Sequence, residues 1–145
     1  MIAYLDASAL VKRYVAEVGS GEVGELVDQA EAVGTAIISR AEVAAALAKA
    51  VRMRLLPRDE AVSVLEVFNS EWDCLVRLQM TEVLMSRAAS LAWNHGLRGY
   101  DAVHLASALF WQEMLGVPVT VASYDRQLWE AARTAGLIAW PESLP

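Results

Sequence analysis

Four acidic residues lie far apart in the chain, and each falls where an apolar run gives way to the next segment. They are Asp6 in IAYLDASAL, Glu42 in TAIISRAEVAAAL, Asp101 in LRGYDAVHLASAL and Asp125 in VTVASYDRQL. Like charges a few ångströms apart do not all stay ionised unless something compensates them. If folding gathers these four, the fitting compensation is a hard, oxygen-preferring divalent cation such as Mg²⁺ or Mn²⁺. Carboxylate-held cations activate water and offset charge on a phosphoryl group, so the implied chemistry is phosphodiester hydrolysis. Ser8, two residues after Asp6, and Ser123, two before Asp125, are placed to tune the ligands or bind water. Arg98, ahead of Asp101, and Arg126, after Asp125, are placed to meet phosphate.

The elements that must position these residues alternate between short extended runs and longer helical ones. The pattern predicts strands at Ile2 to Leu5, Thr35 to Ile38, Leu75 to Leu78 and Val119 to Ala122, with a short edge strand at Leu137 to Ala139. Helices are expected over Ser8 to Val15, Gly19 to Ala30, 40 to 55, and from Pro57 through Trp72. Thr81 caps a further helix that ends near Gly96, and the last two run from Asp101 to Met114 and over 126 to 135. The apolar residues recur at i, i+3 and i+4: Ala44, Leu47, Ala48, Val51 and Leu55 in one helix, Ala102, Leu105, Ala106, Leu109 and Phe110 in another. Strands separated by helices require crossover connections, hence a parallel sheet of about four to five strands with helices on both faces. Ligands of such sheets bind beyond the carboxyl ends of the strands. Asp6 closes the first strand, Glu42 opens the helix after the second, and Asp125 follows the fourth. All three therefore reach one edge of the sheet, and Asp101, at a helix start, joins them if that helix begins there.

With 145 residues, the chain fits one α/β domain over 1–145. The hydrophobic share of 56% and mean hydropathy of +0.32 exceed what a core of this size uses, which points to apolar surface covered by a partner or a second copy. A formal net charge of −6 argues against bulk attraction of nucleic acid. It leaves room for a nuclease whose acidic centre is neutralised by metal. Cys74, the one cysteine, lies in the apolar run DCLVRL and is expected to be a buried structural thiol. The start MIAYLD lacks a basic n-region, and no apolar run approaches the roughly 20 residues of a membrane span, so a cytoplasmic protein is expected.

Other motifs carry weaker signals. Gly19-Ser20-Gly21-Glu22-Val23-Gly24 spells G-x-G-x-x-G, but a dinucleotide site needs a strand immediately before it. Here a helix precedes it, so the glycines read as a turn between helices. His104, one turn after Asp101, reads as a helix-face histidine bonded to a neighbour, with a role behind the ligands as the alternative. His95 suits a helix C-terminus. Lys49, Arg52, Arg54 and Arg58 form the densest basic cluster, either a solvated helix face or an RNA-backbone contact. The five tryptophans mostly fall on apolar helix faces, where core or interface packing is the expected role.

The blocks YLDASALVKRY, SRAEVAAAL, LRGYDAVHLASAL and VASYDRQL together resemble the PIN-domain nucleases, specifically the VapC-type toxins of prokaryotic toxin–antitoxin pairs. The similarity runs from the first strand to the last helix; LDASALVKRY and RGYDAVHLA are its most specific pieces. It implies a metal-dependent endoribonuclease on a PIN-like three-layer fold, a homodimer, and a small antitoxin that blocks the active site. Asp6, Glu42, Asp101 and Asp125 match the family's four acids, and Ser8 and Ser123 its small polar positions. The dimer contact is expected from the helices at Gly19 to Ala30 or across 40 to 72, with an antitoxin helix in an apolar groove between them.

Two variants of this reading remain open here: a PIN nuclease of RNA processing without a toxin role, and a catalytically inactive, protein-binding PIN domain. A phosphoacceptor module of the receiver type needs paired acids near the first strand and a late lysine; Asp6 has no acidic neighbour, and the lysines are Lys12 and Lys49. A haloacid-dehalogenase-type phosphatase needs a second Asp two residues after the first, and position 8 is serine.

Overall fold

The computed structural model describes residues 1–144; position 145, the end of the expected domain, lies outside the described residues. Five strands, β1 (Ile2–Leu5), β2 (Ala32–Ala36), β3 (Val76–Leu78), β4 (Val119–Ala122) and β5 (Ile138–Trp140), form one sheet in the order β3-β2-β1-β4-β5. Every pairing is parallel, with Ile2 beside both Ala32 and Val119. The helices are α1 (Ala7–Lys12), α2 (Ser20–Gln29), α3 (Ser39–Arg52), α4 (Arg58–Glu71), α5 (Glu82–His95), α6 (Gly99–Leu115) and α7 (Arg126–Thr134). The α/β three-layer architecture predicted from the alternation is thus present.

Side chains alternate across a strand, and β1 divides the core accordingly. Ala3 and Leu5 face α1 to α4, where Leu10, Val23, Val43, Leu47, Phe68 and Trp72 are buried. Tyr4 faces α5, α6 and α7 among Leu84, Leu105, Trp111 and Leu128. The chain winds outward from β1 through β2 to β3, then returns through α5 and α6 to β4 on the other side of β1. The strand order therefore reverses at β1. That reversal opens a crevice beyond the carboxyl ends of β1 and β4, the place where parallel sheets bind ligands.

Several boundaries differ from the sequence expectation. The second strand begins at Ala32 and ends at Ala36, so Ile37 and Ile38 leave the sheet and Ile38 heads α3. Gly34, just ahead of the expected strand, lies inside β2, and a Cβ there would stand 2.6 Å from the nearest atom of the Trp111 ring. The first helix stops at Lys12, short of Val15, and α3 stops at Arg52. Arg54 follows in a left-handed conformation, and Leu55, expected on the inner face, is exposed. The helix after Pro57 ends at Glu71, and a 3₁₀ turn over Trp72–Cys74 leads to β3.

Cys74 is exposed, because that turn lifts it out of the apolar run expected to bury it. Of the G-x-G-x-x-G glycines only Gly19 lies in a turn; Gly21 and Gly24 sit within α2. Gly19 has φ 92° and lies against Tyr124, whose hydroxyl is 2.5 Å from the position a Cβ would take. Trp72, Trp111 and Trp129 are buried as expected, but Trp93 on α5 is 89% exposed and Phe110 on α6 is 45% exposed.

Candidate active site

Asp6 ends β1 and caps α1, two roles that fix its carboxylate at the switch point. Its Oδ1 accepts hydrogen bonds from the Ala9 N–H at 2.9 Å and the Ser8 hydroxyl at 2.6 Å. Its Oδ2 accepts from the Ser123 hydroxyl at 2.6 Å. Both serines are themselves held: Ser8 Oγ accepts from Tyr124 N at 2.9 Å, and Ser123 Oγ from Asp125 N at 3.1 Å. The hydroxyls expected near the acids thus lock the first carboxylate to the end of β4. Three of the roughly four acceptor positions of a carboxylate are in use, leaving one on Oδ2.

Asp125 caps α7 by accepting from Leu128 N at 3.1 Å. Its Oδ2 accepts from Arg98 Nη2 at 2.6 Å, while Arg98 Nε donates to Asp101 Oδ2 at 3.0 Å. Asp101 is the third residue of α6, whose N-terminal dipole favours an anion. The Arg98 side chain, 71% exposed, bridges the two acids at the rim. Glu42, in the first turn of α3, is joined to α6 through His104, whose Nε2 lies 2.6 Å from Glu42 Oε1. The start of α3 is pinned in turn by Thr35, which donates to the Leu5 carbonyl at 2.6 Å and shares a hydrogen bond of 2.6 Å with Ser39.

Charge in this crevice is only partly balanced. Burial pushes the Asp6 carboxyl above the usual carboxylate range, against the opposing influence of His104, the two serines and the Ala9 N–H. Burial also raises Asp101, reinforced by the negative charge of Asp125 and opposed by Arg98. A cavity of about 600 Å³ opens beside the acids, lined by Glu42, Arg98, Asp101, Tyr100, Met80 and Met85 among others.

Among the described residues, no three His, Cys, Asp or Glu side chains are disposed to hold a metal ion as they stand. The donor set nevertheless fits a hard cation: it offers carboxylate oxygens from four segments, and the Asp6 carboxylate keeps one acceptor position unspent. Arg98 supplies the positive charge between Asp101 and Asp125, and its exposed side chain is free of packing that would keep it there.

Of the other residues singled out in the sequence, Arg126 lies in the first turn of α7, 4.0 Å from Glu130. Lys49 and Arg52 are in the last turn of α3, at the opposite end from Glu42, and Arg54 lies just beyond. None of these four lines the acidic cavity. His104 is not an ordinary helix-face residue: it is buried between Glu42 and Tyr4, whose hydroxyl is 2.7 Å from Nδ1. Sequence reasoning also passed over Tyr4, Thr35 and Ser39. The available signal was a hydroxyl-bearing residue interrupting an apolar strand or opening a helix beside an acid.

The family model described as PIN domain matches residues 3–134. Ribonuclease VapC45 of Mycobacterium tuberculosis (strain CDC 1551 / Oshkosh) is 37% identical over 144 residues, covering 99% of this chain and 97% of the relative. Among solved structures, Mycobacterium tuberculosis VapC20, described as a sarcin–ricin loop cleaving toxin, superposes with a TM-score of 0.66 at 16% identity and covers 99% of both chains. VapBC2 from Rickettsia felis, bound to a DNA fragment from its promoter, gives 0.64 at 16% identity, covering 96% of this chain and 97% of the other. At such identities the structural likenesses speak for the fold alone. A parallel sheet whose strand order reverses at β1, with acids at the carboxyl ends of β1 and β4, is a doubly wound α/β domain. The chain belongs to the PIN-domain family, in its VapC branch.

Proposed function

We propose that this protein is an endoribonuclease that cleaves RNA phosphodiester bonds by hydrolysis and serves as the toxin of a toxin–antitoxin pair. The observation that carries the reading is that the four acids are linked near the carboxyl edge of the sheet: Arg98 bridges Asp101 and Asp125, Ser123 ties Asp6 to the end of β4, and His104 joins Glu42 to the helix of Asp101. The 37% identity to VapC45, named a ribonuclease, supports the substrate class and the toxin role.

Asp6, Glu42, Asp101 and Asp125 would hold Mg²⁺ or Mn²⁺. When bound, the cation supplies an acidified water as nucleophile and offsets charge on the scissile phosphate. Ser8 and Ser123 keep the Asp6 carboxylate in one orientation. Arg98 turns from the acids to a phosphate oxygen, a move its exposure permits. Tyr100, Met80 and Met85 give the cavity an apolar wall against which a base beside the cleaved bond can stack. Lys49, Arg52, Arg54 and Arg126 meet the RNA backbone away from the reacting phosphate.

The chain works as a homodimer with an antitoxin as its second partner. Large exposed apolar side chains on α5 and α6, namely Val83, Trp93, Phe110 and Met114, give a second copy its surface. The groove between α3 and α4, lined by Ala44, Ala48, Val51 and Leu65, takes an apolar antitoxin helix. Among the described residues no helix is long and apolar enough to cross a membrane, and the site of action is the cytoplasm.

The test is incubation of the purified chain with total RNA and Mn²⁺ or Mg²⁺, with and without chelator, followed by mapping of the cut ends. Cleavage that needs the cation, leaves 5′-phosphate and 3′-hydroxyl ends, and disappears in Asp101→Asn is expected. Cation-independent cleavage, or full activity in a folded Asp101→Asn protein, refutes the assignment.

A further inference from the structure

We propose that His104 is a positioning residue that fixes Glu42 for cation binding, and that Tyr4 sets the imidazole tautomer that does so. The proposal rests on the reading of Glu42 as a ligand given above.

His104 lies on α6 one turn beyond Asp101 and is 2% exposed. Its two ring nitrogens are both engaged: Nε2 with Glu42 Oε1 at 2.6 Å and Nδ1 with the Tyr4 hydroxyl at 2.7 Å. A neutral imidazole carries one N–H donor and one acceptor nitrogen, so one partner must give a proton and the other must receive one. An ionised glutamate only accepts. The Tyr4 phenol is wholly buried in the apolar layer under α6, where a phenolate would lack a compensating charge, so a hydroxyl meets Nδ1 there. It therefore donates to Nδ1, which leaves the hydrogen on Nε2, directed at Glu42. The opposite tautomer would set a nitrogen lone pair against a carboxylate oxygen.

The consequence falls on Glu42. Its side chain is about a quarter exposed and has three rotatable bonds. Among the described residues, the His104 contact is its only hydrogen bond. Tying Oε1 holds the carboxylate toward the crevice and leaves Oε2 for a cation. One helix thus supplies a ligand, Asp101, and three residues later the group that aims a ligand on α3. Partners behind metal ligands characteristically govern affinity in this way, and losing them costs about 10–100-fold.

A core histidine with only a packing role would leave cation affinity alone, and this decides the test. Mn²⁺ binding is measured by titration calorimetry and by electron paramagnetic resonance of free Mn²⁺, without RNA. Parent, His104→Leu, His104→Gln and Tyr4→Phe are compared, each checked for a native urea transition. His104→Leu should weaken Mn²⁺ by about 10–100-fold. His104→Gln, whose longer amide reaches the Nε2 position, should recover most of the loss. Tyr4→Phe keeps the ring and the fold while freeing the tautomer. It should weaken Mn²⁺ in the same direction and bring the Nδ1–H form into the ¹⁵N spectrum of His104. In a Glu42→Ala background the His104 substitutions should add nothing.

Unchanged affinity in folded Tyr4→Phe and His104→Leu overturns the positioning role, as does a His104→Gln no better than His104→Leu. If the parent binds no Mn²⁺, or binds it equally in Asp101→Asn, the functional reading itself fails.

Discussion

Replacing Asp6 by Asn removes one negative charge from the centre while changing almost nothing in shape, so it separates chemistry from folding. The amide oxygen must take the Oδ1 position, because its partner there includes the Ala9 N–H, a donor that cannot reverse. The amide nitrogen then faces Ser123 Oγ, which already accepts from Asp125 N. That hydroxyl can accept a second hydrogen bond, but its own proton loses the carboxylate. Hydrogen bonds to charged groups contribute about 1.5–3 kcal/mol, and this substitution gives up that charge assistance. In the other direction it relieves the burial that raises the Asp6 carboxyl. The two effects offset, and we expect the urea midpoint to move by less than about 1 kcal/mol equivalent, the size of an ordinary hydrogen-bond change. Catalysis has no such compensation. Loss of about 4 kcal/mol of charge stabilisation at the phosphoryl group corresponds to about a thousandfold in kcat/KM. The assay is single-turnover cleavage of a labelled RNA in Mn²⁺, alongside the urea transition. A folded Asp6→Asn protein whose kcat/KM stays within tenfold of the parent refutes the reasoning.

Arg98→Ala removes the side chain assigned to a phosphate oxygen. With Mn²⁺ and a cleavage-resistant labelled single-stranded RNA, the slope of log binding constant against log salt should become shallower by about 0.7, read by fluorescence anisotropy. In chelator, where Asp101 and Asp125 hold the arginine, it should not change. Because Asp6 and Asp101 have folded-state values above the ordinary carboxylate value, the metal-free native state binds protons more tightly than the unfolded chain. Their stabilising contribution is present below the unfolded value and is lost as pH rises through the folded one. The urea midpoint of Asp101→Asn relative to the parent, in chelator, should therefore increase between pH 4 and pH 7; a constant difference contradicts the raised carboxyl. Gly34→Ala drives a methyl against the Trp111 ring, a rigid neighbour, and should cost about 1–3 kcal/mol in a urea transition.

How much of this was legible in the sequence depended on distance along the chain. The strand–helix alternation, with each acid at an element boundary, sufficed for a parallel sheet and for one shared edge, and Asp6, Glu42 and Asp125 arrive there as the pattern requires. Thr81 as the cap of α5 and Gly96 as its end were equally readable, because capping is a local matter. The second strand was expected to begin at Thr35, which left out Gly34, and the reason for that glycine is Trp111, far away in sequence and across the core. A hydrogen-bonded His104 was expected, but its partners were not legible for the same cause: they are 62 and 100 residues away, and no local rule names them. Cys74 was placed inside by its apolar neighbours, whereas a single 3₁₀ turn decided its exposure.

The same geometry explains how an acidic chain can act on a polyanion. A net charge of −6 repels RNA at long range, and the densest basic stretch stands at the far end of α3 from Glu42. Attraction of the phosphate to be cleaved must therefore be generated at the site itself. Four carboxylates against one guanidinium leave the crevice negative, so Arg98 is held by Asp101 and Asp125 and withheld from phosphate. A divalent cation held by those acids would offset most of that negative charge and would free the arginine toward the substrate. Substrate affinity and bond cleavage then depend on the same carboxylates, and a positively charged side chain from a partner, inserted in place of the cation, would silence both together.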